Sequence, residues 1–139
     1  CNSFRSCVWL ESYLREHHDE LKIAGLHGGQ DPKLRETILK RFEGNKFSIL
    51  ICTDVAMRGL DFPSVTDVVM FDFPYDATTY IHRVGRTARA GSKGKVTSFL
   101  TKKDRALFRQ VQDRNHFNGA LQKASGRKKK RKKSPRKKV

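Results

Sequence analysis

The sequence predicts an α/β domain in which helices flank a parallel sheet. Short apolar segments rich in β-branched residues alternate with segments whose apolar residues recur at helical spacing, and the connections between them are short. Residues 47–52 form a continuous apolar run, which is typical of a strand covered on both faces. Strands that alternate with helices in this way pair in parallel through right-handed crossovers. We therefore predict one domain over residues 1–114, followed by a tail over residues 115–139.

The first half of the chain predicts two helices, each followed by a strand. Residues 4–17 carry apolar side chains at helical spacing, and Ser3 before them is a favourable N-cap. Asp31 is suited to cap the second helix, and Pro32 fits its first turn, where a missing N–H costs nothing. In order, the predicted elements are a helix over residues 4–17, a strand over 21–26, a helix from 31 closed by Gly44, and a strand over 47–52.

The second half continues the alternation and ends in a polar tail. In order, its predicted elements are a short helical piece after Asp54, a strand over residues 66–71, a helix over 77–83, a strand over 94–100 and a helix over 104–113. From Gly126 onward we expect disorder, because the residues that could form a packed core are absent there.

Charge and cysteine content restrict the class of protein. Residues 122–139 contain 11 Lys and Arg and no acidic residue, so they carry 11 of the 16 net positive charges. Such a tail indicates a polyanionic partner, most simply nucleic acid, although a targeting signal or a solubility tail has the same composition.

Cys1, Cys7 and Cys52 match neither a disulfide framework nor a zinc site, which indicates a reducing compartment. Cys52 is predicted to be a buried thiol, and no apolar segment is long enough for a membrane span.

Polar clusters follow three of the predicted strands. In parallel sheets, ligands bind beyond the carboxyl ends of the strands, so we expect Gly28-Gly29, Thr53-Asp54 and residues 72–75 to share one rim. Thr53 can offer a hydroxyl or a backbone N–H to a phosphate. Asp61 can accept a hydrogen bond from a ribose hydroxyl, although a loop with Asp as a local cap explains it equally well.

Residues 82–91 combine three arginines and a histidine without an acidic residue. In a helix, His82, Arg86 and Arg89 would share one face and Arg83 would point elsewhere. Guanidinium groups without nearby carboxylates suit an incoming phosphate, although a solvated basic turn is the simpler alternative. The sequence contains no phosphate-binding glycine loop and no carboxylate pair placed for Mg²⁺. These arginines therefore predict half of a site that a facing domain completes, in the manner of arginine fingers.

Several segments resemble the motifs of DEAD-box RNA helicases. Residues 53–61 are similar to motif V and residues 82–89 to motif VI. Asn2-Ser3 resembles the end of motif IV, and residues 26–28 followed by Arg35 resemble the segment that holds motif IVa. The resemblance covers residues 1–113 in the correct order and spacing. Residues 69–74 and 93–98 are more similar to plant organellar members.

The resemblance implies a RecA-like C-terminal domain of an ATP-dependent RNA helicase. It implies that Arg86 and Arg89 reach the γ-phosphate, that Asp61 holds the ribose, and that ATP and Mg²⁺ are bound mainly by the N-terminal lobe. Contacts between the lobes near the nucleotide are implied for Arg58, Gly59, His82 and Arg83. The positions implied along the RNA backbone are Asn2, Ser3, Gly28, Arg35, Thr53 and Asp54.

This sequence departs from the family pattern at three places. Pro32 stands where the family usually has Gln, and Ala88 stands where Gly is common. The first strand and the whole first lobe are not in the sequence, so we expect residues 47–52 or their neighbours to be exposed.

Two alternatives to an RNA helicase remain: a non-enzymatic RNA-binding module and a helicase that acts on DNA. We expect a monomer without membrane association, located in the nucleus, the nucleolus or an organelle (plastid or mitochondrion). This chain alone is expected to bind RNA weakly and to lack ATPase activity.

Overall fold

The computed structural model describes residues 1–59, 62, 65–88 and 93–113. Within these ranges it confirms the predicted alternation of helices and strands. In order, the elements are α1 (Phe4–His17), β1 (Ile23–Leu26), α2 (Pro32–Glu43), β2 (Ile49–Cys52), β3 (Asp67–Met70), α3 (Ala77–Val84), β4 (Lys95–Ser98), a 3₁₀ turn (Lys102–Asp104) and α4 (Arg105–Gln112). The predicted helical piece after Asp54 is wrong, because residues 54–59 form hydrogen-bonded turns instead. The predicted tail lies outside the described residues.

The strands pair in parallel, as predicted, and form two ribbons in the described part of the chain. In the first ribbon β1 pairs with β2, from Ile23 opposite Ile49 to Leu26 opposite Cys52. In the second, β3 pairs with β4, from Asp67 opposite Lys95 to Met70 opposite Ser98. No described backbone ladder joins β2 to β3.

Residues Cys1 and Asn2 connect the carboxyl ends of the two ribbons. The amino group of Cys1 donates to the carbonyl of Cys52 at 2.9 Å. The backbone N–H of Asn2 donates to Oδ2 of Asp72, and its side-chain amide donates to the carbonyl of Phe73, both at 2.8 Å. The ends of β2 and β3 are therefore held together by hydrogen bonds outside any sheet.

Short polar side chains cap the amino ends of α1 and α2. Oγ of Ser3 accepts from the backbone N–H of Ser6 at 3.0 Å and starts α1. The Asp31 carboxylate accepts from the N–H groups of Lys33 and Leu34 and starts α2. Both caps were predicted from the sequence, and they place the amino ends of the helices beside the carboxyl ends of the strands.

The first ribbon is covered on both faces. Cys7 of α1 packs with Ile23 and Ile51 on one face. Ile38 of α2 packs with Ala24 and Leu26 on the other. Ile51 is only 5% exposed, so the centre of residues 47–52 is buried rather than exposed.

Burial also raises the pKa of the Cys7 thiol and raises the pKa of Cys52 to about 11, so both thiols are protonated at neutral pH.

The second ribbon is covered on one face only. Met70 and Phe73 pack against Val111 of α4. On the opposite face, Val69 of β3 is 57% exposed. Among the described helices, none is both long and apolar enough to cross a membrane.

Candidate functional site

The rim predicted from the sequence is centred on Arg83, whose side chain is almost completely buried. Its residue exposure is 9%. Nε and Nη2 donate to Oδ1 and Oδ2 of Asp54, both at 2.7 Å, in a two-pronged ion pair. Nη1 donates to the carbonyl of Asp72 at 2.7 Å, and Nη2 also donates to Oδ1 of Asn2 at 2.6 Å. We call this cluster of Asn2, Asp54, Asp72 and Arg83 the rim junction.

The rim junction uses side chains for which the sequence predicted other contacts. Arg83 was expected to face another lobe, yet its guanidinium donates four hydrogen bonds inside this domain. Both Asp54 oxygens accept from Arg83, and the Asn2 amide uses its oxygen and its nitrogen. Any effect of Arg83 on a facing lobe must therefore pass through the backbone and side chains that it positions.

Thr53 follows Cys52, the last residue of β2, at the carboxyl end of the first ribbon. It is 8% exposed, its N–H donates to the carbonyl of Leu26 at 3.3 Å, and its carbonyl accepts from Met57 at 3.2 Å. The turn that follows includes Gly59, whose φ of +85° lies in the left-handed region that favours glycine. Arg58 beside it is exposed. Asp61 lies outside the described residues.

The turn after β1 contains an exposed glycine, and two buried polar atoms in the segment from β1 to α2 lack a hydrogen-bond partner among the described residues. Gly28 is exposed, and a Cβ built on it would meet nothing within 4 Å. Nε of Arg35 and Nδ1 of His27 are buried, and neither has a hydrogen-bond partner among the described residues. Such atoms are uncommon in folded proteins because leaving a polar group unpaired costs about 1–3 kcal/mol.

Gln30 shapes this turn, and sequence reasoning missed it. Its side-chain oxygen accepts from the N–H of His27, and its side-chain nitrogen donates to the carbonyl of Gly25, both at 3.0 Å. A glutamine directly after two glycines was the available signal. Pro32, which departs from the family pattern, is the first residue of α2.

The basic side chains at and just after the end of α3 differ in exposure. Arg83 faces the rim junction, whereas His82 is exposed. Arg86 follows one turn later, is partly exposed, and donates through Nε to the carbonyl of His82 at 3.1 Å. This bond orients the Arg86 side chain along the His82 side of the helix. Arg89 lies outside the described residues.

Thr87 and Ala88 anchor the chain after Arg86. Oγ1 of Thr87 lies 2.7 and 2.8 Å from the carbonyl oxygens of Val65 and Thr66, and the residue is only 4% exposed. Ala88 has a φ of +53°, a left-handed conformation that a residue with a Cβ rarely adopts. Sequence reasoning did not identify Thr87, because its two partners lie 21 and 22 residues away.

Comparison with known proteins identifies the class that this fold and rim define. Residues 1–91 match the family described as the helicase conserved C-terminal domain. The chain belongs to this family.

Individual relatives and solved structures show which members of this family the chain resembles. The chain is 51% identical over 87 residues to the ATP-dependent rRNA helicase RRP3 of Phaeosphaeria nodorum, covering 63% of this chain and 16% of that protein. It is 40% identical over 124 residues to the DEAD-box ATP-dependent RNA helicase 39 of Arabidopsis thaliana, covering 88% and 20%. A structure of Mss116p DEAD-box helicase domain 2 bound to an RNA duplex superposes with a TM-score of 0.75 at 34% identity, covering 84% and 46%.

These matches confirm the RecA-like α/β fold and the C-terminal domain of a DEAD-box helicase. The chain spans about a fifth or less of the length of these two relatives. The resemblance to plant organellar members stays a prediction.

Proposed function

We propose that this chain is the second lobe of an ATP-dependent RNA helicase, which contacts the RNA backbone and supplies arginines to ATP bound by a first lobe. The observation that carries the proposal is the rim junction. It joins Asn2 and Asp54, on the side predicted for RNA, to α3, which carries His82 and ends two residues before Arg86. One rigid cluster thus holds both predicted contact surfaces.

The residues after β1 support the RNA part of the proposal. The exposed backbone at Gly28 lets a phosphate approach closely, and Arg35 carries a buried Nε without a partner among the described residues. Such a donor gains a hydrogen bond when an acceptor reaches it. Gly28, Arg35 and Thr53 are the residues that we propose for this contact, and the basic tail would add salt-dependent affinity.

The outer side of α3 supports the nucleotide part. His82 is exposed and Arg86 is partly exposed, whereas Arg83 is buried, so the imidazole of His82 and the guanidinium of Arg86 can meet an anion brought by a facing lobe. Bound ATP with Mg²⁺ would supply the phosphoryl group that is transferred to water. Arg86, with Arg89, would neutralise negative charge that develops on it, an effect worth roughly 10³–10⁵ in rate.

Replacing Arg86 in the protein that contains both lobes tests the proposal. Arg86→Ala should lower the kcat of RNA-stimulated ATP hydrolysis by about 10³-fold or more and abolish duplex unwinding, while RNA affinity is retained. Arg109→Ala, an exposed arginine on α4, is the matched control and should leave the activity unchanged. Normal unwinding by Arg86→Ala would refute the role assigned to Arg86, whereas RNA binding without any unwinding by the wild type would favour a non-enzymatic RNA-binding module.

The relatives include an rRNA helicase and a helicase named as mitochondrial. A location in the nucleolus or nucleus, or in an organelle, is proposed on that basis.

A further inference from the structure

A groove of about 450 Å³ opens at the carboxyl ends of β3 and β4. Phe71 and Tyr75 line it from the β3 side, and Phe99 and Leu100 line it from the β4 side. Its volume lies within the range of about 300–1,000 Å³ that is usual for small-ligand sites. None of its aromatic residues belongs to the contacts proposed above.

Two of the aromatic side chains that line the groove are largely exposed, and two of them contact each other. Tyr75 is 86% exposed and Phe99 is 59% exposed. The ring of Phe99 meets Phe71 edge-on at 6.4 Å, and Phe71 stacks with Trp9 of α1 at 6.0 Å. Exposed rings grouped in this way offer flat apolar surfaces, and every nucleic-acid base can stack on such a surface regardless of sequence.

The groove is continuous with the rim junction. Asn2 and Asp72 line the groove and also accept hydrogen bonds from Arg83, so two residues belong to both. An RNA strand that crosses the proposed contacts at the rim can therefore reach the groove without leaving the surface.

Three charged residues line the groove, namely Asp72, Lys103 and Asp104. The Asp104 carboxylate accepts from the N–H and the hydroxyl of Thr101 at 2.7 and 2.6 Å, and Oδ2 of Asp72 accepts from Asn2 at 2.8 Å. Both acids are thus hydrogen-bonded within the chain. Lys102 and Lys103 are exposed and form no ion pair with any described residue.

We infer that this groove is a stacking subsite for bases of single-stranded RNA, with Tyr75 and Phe99 as platforms and Lys103 beside the backbone. The inference rests on the proposed function, because it extends the RNA path from the rim onto the second ribbon. It assigns to β3 and β4 a part of substrate binding that the helicase motifs do not include.

Nuclear magnetic resonance of the ¹⁵N-labelled 139-residue chain locates the contact. Titration with hexauridylate, at a salt concentration high enough to suppress phosphate contacts of the tail, should shift the backbone amide signals of Tyr75 and Leu100. Shifts confined to the tail or to the turn after β1 would overturn the inference. Shifts caused by a short Phe- and Pro-containing peptide, but not by the RNA, would also overturn it and assign the groove to a protein partner.

Matched variants of Tyr75 measure the contribution of the groove to RNA binding separately from that of the rim. Under the same conditions, Tyr75→Ala should weaken binding of a single-stranded 12-nucleotide RNA by about 5- to 150-fold, the range expected for one lost base stack. Tyr75→Phe keeps the ring and should bind like the wild type. Since Tyr75 is 86% exposed, neither change should affect folding.

Arg35→Ala tests the proposed function independently. If Arg35→Ala weakens RNA binding and Tyr75→Ala does not, the proposed base-stacking role of the groove is refuted and the proposed RNA contact at the rim stands. If only Tyr75→Ala weakens binding, the groove stands and the proposed rim contact is wrong.

Discussion

Replacing Arg83 by methionine should destabilise the domain by about 3 kcal/mol. Methionine keeps an unbranched apolar side chain but removes every donor of the guanidinium. The ion pair is buried at the arginine end, where the side chain is 10% exposed, and open at the Asp54 end, where it is 38% exposed. Removing one partner of a fully buried pair costs about 3–5 kcal/mol. Water can reach the freed Asp54, which lowers that figure, whereas Asn2 and the Asp72 carbonyl each lose a donor worth about 1 kcal/mol.

Urea unfolding of the 139-residue chain, followed by circular dichroism, measures this loss. With an m-value of about 2 kcal/mol/M, a loss of about 3 kcal/mol lowers the unfolding midpoint by roughly 1.5 M. Arg109→Ala should change the free energy of unfolding by no more than about 0.5 kcal/mol. A double-mutant cycle with Asp54→Ala should give a coupling energy above about 1 kcal/mol. A loss below about 1 kcal/mol for Arg83→Met would show that the junction does not hold the ends of the strands together.

Two further predictions concern backbone conformation and pH. Ala88→Gly should raise the free energy of unfolding by about 0.5–1 kcal/mol, because glycine relieves a left-handed φ of +53° at some entropic cost; an unchanged or lower melting temperature would contradict this. Burial raises the pKa of Asp76, but hydrogen bonds from the Thr79 amide and hydroxyl outweigh it and leave that pKa below its usual value. The stabilisation is therefore complete above about pH 4 and is lost as the pH falls through the lowered pKa. The gap in unfolding free energy between the wild type and Asp76→Asn should shrink from pH 6 to pH 3, and a constant gap would exclude this explanation.

Local signals account for what the sequence predicted correctly. Ser3, Asp31 and Pro32 act within a few residues of their own positions, so the starts of α1 and α2 could be identified directly. Helical spacing likewise separated Arg83 from His82 and Arg86. The helical piece predicted after Asp54 was wrong, because six residues are too few to distinguish a helix from consecutive turns.

The contacts of Arg83 could not be predicted from any local pattern. Its partners Asp72, Asp54 and Asn2 lie 11, 29 and 81 residues away in sequence. They meet only because three segments end at one edge of the fold. Sequence reasoning correctly expected a shared rim, but could not tell whether an arginine there would point outward or be buried. The roles assigned to individual rim residues stay predictions.

The division of the strands into two ribbons has a consequence for the way the domain opens. Because no backbone ladder joins β2 to β3 in the described residues, the half containing α1 to β2 and the half containing β3 to α4 can each behave as a cooperative unit. Amide hydrogens of β1 and β2 would then exchange with solvent at a different free energy from those of β3 and β4. Asn2 and Arg83 lie where the two units meet, so they determine whether an opening in one unit spreads to the other.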